Sequence, residues 1–428
     1  MKSIGWGRQS FAVGIFFAFK IVLGTAVLLA SAQWMPVAGF AVFSQLLILI
    51  AFLTTIGTAG VQNGLIRQIA AAEDDRAVAR ELRAALSIWA IVAPVVCVGV
   101  WALATRIAIL LTGLGGISWV VPWLALLAVV AGLGQLFCSV LTGTGRTPAA
   151  LSAQAFGLLA GTLPALFLLN RNAPLAAALA FSAGQSVTAL LAGFKIGAIL
   201  RRAKNESPPA AAEIRPLLGF SGAFLASASI MPLTLLGLRS VYRSSVGLDA
   251  LGYWLAANRI SDINTQLLGL YMVQVYLPAA ARLKDHVTAW RLARRSFLIG
   301  TLAMGGGLAL FLLAPSLLIR LFLSAKFLPA AAIIGGYFIG DTLRVSASLA
   351  SYAALSQRRL GSYIGLEIGA AATLSAILLV LVHMRVGEAP SLAYMGTYAA
   401  MAIISWLLLR RLMAGAEAID RPLSEPAV

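Results

Sequence analysis

The sequence predicts an all-α polytopic membrane protein, and three observations carry that prediction. Of its 428 residues, 60% are hydrophobic and only 11% charged, against about a quarter charged in an average globular domain; the mean hydropathy is +0.92. The apolar residues come in runs of about 20, the length that crosses a hydrocarbon core. The formal net charge of +17 sits in the short loops between those runs. There it reads as the positive-inside signal of a membrane protein rather than as a nucleic-acid footprint, so no nucleic-acid partner is expected.

Taken in order, twelve spans are expected, at 11–33, 37–62, 86–105, 117–141, 151–169 and 175–199, then 217–238, 248–277, 297–319, 330–355, 362–382 and 392–409. Lys2 and Arg8, an apolar run and Ala30-Ser31-Ala32 imitate a cleavable signal peptide. The run is longer than a signal-peptide core and contains Lys20, so a retained first span is expected. Cys97 and Cys138 fall inside apolar segments, which implies neither a disulfide framework nor a metal cluster. Of the 32 Lys and Arg residues, 21 lie in the termini and loops on the N-terminal side of the membrane. Both termini are therefore expected in the cytoplasm.

The loop 201–215 contains Asn205-Glu206-Ser207-Pro208-Pro209 and reads as a flexible linker. It divides the chain into a six-helix lobe at 1–200, a second at 216–410, and a cytoplasmic tail at 411–428. An even number of spans per half gives both halves one orientation, as in transporters built from parallel repeats. Gly39-Phe40-Ala41-Val42-Phe43-Ser44-Gln45 of span 2 echoes Gly252-Tyr253-Trp254-Leu255-Ala256-Ala257-Asn258 of span 8, a register that pairs Gln45 with Asn258.

The eighth span carries Asn258, Arg259, Asp262, Asn264 and Gln266 in an otherwise apolar segment. Charge at mid-bilayer costs at least about 2.5–3.5 kcal/mol, so such a strip is expected to face away from lipid and line a polar cavity. Arg259 and Asp262 are three apart and share a helix face, as do Asp341 and Arg344 in span 10. Each pair either holds helices together as a buried ion pair or lines the cavity. Lys20 has no carboxylate on its own helix and is expected to face the cavity. Glu367 either pairs with a cytoplasmic arginine such as Arg358 or takes a coupling role, and Lys195 is expected to snorkel. Ser221, Ser227, Ser229 and Thr234, with a kink at Pro232, serve either the cavity or close helix packing. Deep cations in spans 1, 8 and 10, with amides in spans 2 and 8, suit an anionic substrate. His286 and His383 have neither metal-ligand spacing nor a nearby nucleophile, so an enzyme is not expected.

Several stretches resemble one family, the Wzx lipid-linked oligosaccharide flippases, and among them the WzxE type that moves enterobacterial common antigen lipid III. They are Lys20-Ile21, Asn63-Gly64 with Arg67, Gly252-x-Trp254 followed by Ile260-Ser261-Asp262, Val275-Tyr276-Leu277-Pro278 and Lys326-Phe327. Gly340-Asp341 with Arg344-Val345, Tyr363-Ile364 with Glu367, and Ala393-Tyr394-Met395 with Thr397-Tyr398 complete the set. The resemblance implies the multidrug/oligosaccharidyl-lipid/polysaccharide exporter superfamily, with two six-helix lobes forming a V around a central cationic cavity that opens alternately to either side. It implies export of an undecaprenyl-pyrophosphate-linked oligosaccharide, of the lipid III or O-antigen type, from the cytoplasmic to the periplasmic leaflet of a bacterial inner membrane. A polysaccharide polymerase and a chain-length regulator are the implied partners.

On that reading Lys20, Gln45, Asn258, Arg259 and Arg344 bind the diphosphate and glycan. Asp262, Asp341 and Glu367 balance those cations and couple H+ or Na+, with no other cofactor; Arg259 rests on the residue argument alone. The rivals are a drug/cation antiporter of the same superfamily, a lipid II flippase, which usually has two more spans, and a membrane-bound glycan polymerase or ligase, expected to carry a sizeable outer loop with Arg or His.

Overall fold

The computed structural model describes residues 6–206, 211–282, 286–357 and 359–414. Twelve long helices run through the described residues, with no strand among them. They are α1 (Trp6–Trp34), α2 (Val37–Gly57), α3 (Asp75–Ala102), α4 (Val120–Gly143), α5 (Thr147–Asn170) and α6 (Pro174–Lys195), then α7 (Ala211–Val246), α8 (Leu248–Tyr271), α9 (His286–Leu313), α10 (Ala331–Ser356), α11 (Leu360–His383) and α12 (Ala389–Ala414). Local chemistry sets their ends. Asp74 caps α3 by accepting from the Ala77 N–H at 2.6 Å. Pro174 opens α6, where its missing N–H costs nothing. Gly247, at φ 104°, makes the turn between α7 and α8.

Eight of the helices, α2 to α6, α9, α11 and α12, are long and apolar enough on their described residues to cross a membrane. Of the other four, α1 and α7 contain side chains outside the described ones, Lys20, Ser221 and Ser227 among them, and α8 and α10 carry the polar strips. Trp34, Trp101, Trp119 and Trp123 are all exposed, at the end of α1, the end of α3 and the start of α4. Tryptophans so placed form the belt that anchors helix ends at a membrane–water interface.

Three sequence expectations shift. The seventh span does not stop at residue 238: α7 runs on to Val246 and takes Arg239 and Arg243 into the helix. In the stretch expected to be a linker, residues 201–205 belong to a helix at Gly197–Asn205 and α7 begins at Ala211, while 207–210 lie outside the described residues. The eighth span is not one regular helix either. A proline has no N–H to give to a helix, and ahead of Pro278 a π-turn at Met272–Tyr276 leads into a short helix, Leu277–Arg282.

The chain packs as two compact units, Met1–Pro232 and Leu233–Val428, whose boundary falls at Pro232 inside α7. In the N-terminal unit, α6 packs against α4 and α5, α5 also meets α1, and α4 is flanked by α2 and α3. Leu65, Leu82, Leu136 and Leu141 are fully buried in its core. Helices in lipid gain little from hiding apolar surface and rely on close packing instead. The α5–α6 contact shows this: a Cβ built on Gly184 would lie 1.9 Å from the Gly161 backbone nitrogen, and one on Gly157 would lie 2.1 Å from Thr188 Oγ1. Gly157 and Gly161 are one turn apart, the small-xxx-small spacing that lets two backbones touch.

In the C-terminal unit α10 is the centre, packed by α8, α9, α11 and α12. Replacing Gly184 with Leu must push α5 and α6 apart. Thermal unfolding in detergent should show a loss on the order of 1–3 kcal/mol or more, whereas Gly197→Leu, where nothing lies within 4 Å of the added Cβ, should leave the midpoint nearly unchanged. Equal midpoints for the two variants would refute the close-contact account.

Candidate functional site

Helical spacing in the C-terminal unit gathers polar side chains from four helices. On α8, Trp254, Asn258, the neighbours Ser261 and Asp262, and Thr265 recur at three or four residues, so they form a stripe along one side of the helix. On α10 Tyr337, Asp341 and Arg344 do the same, on α12 Tyr394 and Tyr398, and on α7 Arg239 and Tyr242.

Asp341 is fully buried. Its Oδ1 accepts from Ser261 Oγ at 2.7 Å and from the Tyr394 hydroxyl at 2.8 Å, and its Oδ2 accepts from Asn264 Nδ2 at 3.1 Å. Three donors from α8 and α12 thus replace the water this carboxylate has lost. Gly340 makes the approach possible, since a Cβ there would lie 2.3 Å from the Tyr394 ring. Arg344 does not pair with Asp341 directly. Its Nη1 donates to the Tyr394 hydroxyl at 3.4 Å, and its guanidinium lies 5.4 Å from the Tyr398 ring centre. Tyr394 therefore mediates between the cation and the carboxylate.

A second group sits beside the first. Arg259 Nη1 lies 3.3 Å from Asp262 Oδ2, while Asp262 Oδ1 accepts from Asn258 Nδ2 at 3.2 Å. Asn258 Oδ1 in turn accepts from Arg239 Nη2 at 3.0 Å. The Arg239 guanidinium lies 5.7 Å from the Trp254 ring centre. Trp254 Nε1 donates to the Tyr337 hydroxyl at 2.6 Å, and Tyr337 stacks on Tyr394 with centroids 4.2 Å apart. The two polar groups are thereby joined through aromatic rings. The Asp262 side chain is 40% exposed and that of Arg259 24%, so this end of the cluster opens outward while Asp341 is sealed.

Five of the residues singled out in the sequence, Asn258, Arg259, Asp262, Asp341 and Arg344, fall in this cluster. Asn264 joins it through Asp341, and Gln266 is exposed. Glu367 is half-buried on α11 and makes no hydrogen bond or ion pair among the described residues; Arg358, named as its partner, lies outside them. Gln45 is fully buried in the N-terminal unit, where its Nε2 donates to the Leu111 carbonyl at 3.4 Å and its Oε1 has no partner among the described residues. The Lys20 side chain lies outside the described ones. Lys195 is half-buried, its Nζ donating to Ser152 Oγ at 2.6 Å and to the Ala149 carbonyl at 3.0 Å. Sequence reasoning missed Arg239 as an interior residue because a span of about 20 residues ends before it. The absence of any helix breaker between Gly237 and Gly247 was the available signal.

The network predicts unequal costs for removing its carboxylates. Asp341→Ala strands three donors and should cost on the order of 3–5 kcal/mol in detergent unfolding, while Glu367→Ala strands none and should cost far less. Equal midpoints would contradict this reading of Asp341.

The chain shares its fold with solved membrane transporters. An inward-facing multidrug resistance MATE family transporter of the MOP superfamily superposes with a TM-score of 0.81 at 14% identity, over 94% of this chain and 96% of that one. An outward-facing structure described in the same terms gives 0.72 at 14%, over 96% of each chain. A MOP superfamily transporter from Pyrococcus furiosus, described as having a binding pocket of reverse polarity that suggests a different function, gives 0.71 at 14%, over 95% and 96%. No curated protein matches the sequence. The model of a family described as polysaccharide biosynthesis protein matches residues 11–284, well over half the length. With its apolar helices and its transporter fold, the chain is a multi-pass membrane protein that belongs to the polysaccharide biosynthesis protein family.

Proposed function

We propose that this protein is a flippase that moves a polyprenyl-diphosphate-linked oligosaccharide, of the lipid III or O-antigen type, from the cytoplasmic to the periplasmic leaflet of a bacterial inner membrane. Both termini lie in the cytoplasm, and an H+ or Na+ gradient resets the carrier between its inward-open and outward-open states. The observation that carries the reading is a family defined by polysaccharide biosynthesis joined to a C-terminal unit whose interior holds Arg239, Arg259 and Arg344. Guanidinium forks match phosphate oxygens two at a time, and fixed cations offset the cost of drawing a diphosphate through low dielectric. The polyprenyl tail stays in lipid while the headgroup crosses. Asp262, Asp341 and Glu367 balance the arginines between cycles. A polymerase and a chain-length regulator would take the product on the far side.

A drug/cation antiporter is the second reading, favoured by the multidrug transporters that share the fold. Proteoliposomes loaded with a polyprenyl-diphosphate oligosaccharide separate the two, with glycan access from one side reporting the leaflet. Protein-dependent crossing, accelerated by a proton or sodium gradient and reduced at least about tenfold in Arg344→Ala and in Lys20→Ala, is expected. No crossing with several glycans, alongside gradient-driven efflux of a cationic dye, would replace the flippase with the antiporter.

A further inference from the structure

Among the described residues Arg239 is a buried cation with no counter-ion in direct contact. It is 3% exposed, on α7. Its sole hydrogen bond among the described residues runs from Nη2 to the neutral amide of Asn258, its Nε has no partner, and it forms no ion pair with a described residue. Asn258 in turn donates to Asp262, whose other oxygen already takes Arg259. Two guanidinium groups therefore converge, one directly and one through an amide, on a single carboxylate. The cluster on this side of Trp254 carries one positive charge more than it balances.

Such an arrangement is costly for a protein that needs only rigidity. A buried ion left uncompensated destabilises strongly, and apolar residues of equal volume would hold the helices as well or better. Aspartate at 258 would turn the 3.0 Å contact to Arg239 into an ion pair, but it would also lose the donor to Asp262 and set two carboxylates against each other. Asparagine keeps the guanidinium in place and leaves its charge unspent.

Resting on the flippase reading, we infer that Arg239 is the second guanidinium of a two-arginine diphosphate site, of which Arg259 is the exposed first, and that Asn258 is the neutral spacer that holds Arg239 available. Asp262 occupies Arg259 when substrate is absent. The arriving diphosphate competes for Arg259 at the exposed end of the cluster. Rotation of Asn258 about its own side-chain bonds breaks the one hydrogen bond that Arg239 makes and frees its N–H groups for the second phosphate. Trp254, fixed through Tyr337, keeps the guanidinium plane in place throughout.

The test is binding of undecaprenyl diphosphate to the full-length protein in detergent, with undecaprenol as the uncharged control and the unfolding midpoint recorded for each variant. Wild type should prefer the diphosphate. Asn258→Asp spends the charge of Arg239 inside the protein, so it should lose affinity for the diphosphate at least about tenfold and bind undecaprenol as wild type does, while the lost donor to Asp262 lowers its unfolding midpoint. Arg239→Gln should lose the same affinity, and Asn258→Asp keeps the test open if that variant does not fold. Wild-type diphosphate affinity in folded Asn258→Asp would overturn the role of Arg239 and leave the flippase reading standing. A wild-type protein that does not distinguish diphosphate from alcohol would overturn both.

Discussion

The C-terminal unit is built around a carboxylate that cannot reach water. Asp341 lies on α10, the helix that α8, α9, α11 and α12 all pack against, so whatever satisfies it must come from those neighbours. Ser261 and Asn264 on α8 and Tyr394 on α12 do so, and in doing so they fix the rotation of two helices about the third. Once α8 is turned to present Ser261 and Asn264 to Asp341, the stripe through Asn258 and Asp262 is aimed as well. The position of the Arg259–Asp262 ion pair is thus a consequence of the sealed carboxylate. Gly340 and the Tyr337–Tyr394 stack belong to the same arrangement, because Tyr394 reaches Asp341 only by lying flat on α10.

The N-terminal unit solves the same problem by different means. Its tightest contact has no side chains in it, only the backbones of Gly161 and Gly184. Among the described residues its fully buried polar side chains are neutral, such as Gln45, Thr162 and Ser182. Among the described residues fully buried charge falls in one unit and close backbone packing in the other, although each has a segment of seven largely buried residues ending in an amide (Gln45 or Asn258), near the start of α2 or α8. The amides differ in partners: one meets a main-chain carbonyl, the other a guanidinium and a carboxylate.

Much of this was legible in the sequence because a bilayer allows few solutions. Apolar length gave twelve helices, and intramembrane polar residues marked α8 and α10 as the pair that matters. What stayed hidden was pairing across helices. Periodicity puts Asp341 and Arg344 on one face of α10, but it does not say that a tyrosine hydroxyl 50 residues further on stands between them. Tyrosine is common at membrane interfaces, so Tyr337, Tyr394 and Tyr398 carried no positional signal of their own. Arg239 was hidden for the opposite reason: a rule about the thickness of lipid was applied to a helix that extends beyond it. The pull of Pro278 on the preceding turn was likewise foreseeable as an end to the span, but not as a widened turn within it.

That widened turn has a geometric result. A π-turn amounts to one residue inserted into an α-helix, so the residues on either side of Met272–Tyr276 are out of phase by about 100°. The stripe that runs from Trp254 to Thr265 does not continue in register to the end of the segment. Within the turn Tyr276 is turned inward and Val275 out, and past it the helix shows its neighbours a different meridian. One continuous segment therefore has two independent orientations, one fitted to the polar cluster and the other to its apolar surroundings. A single deletion in the π-turn would force both halves onto one phase.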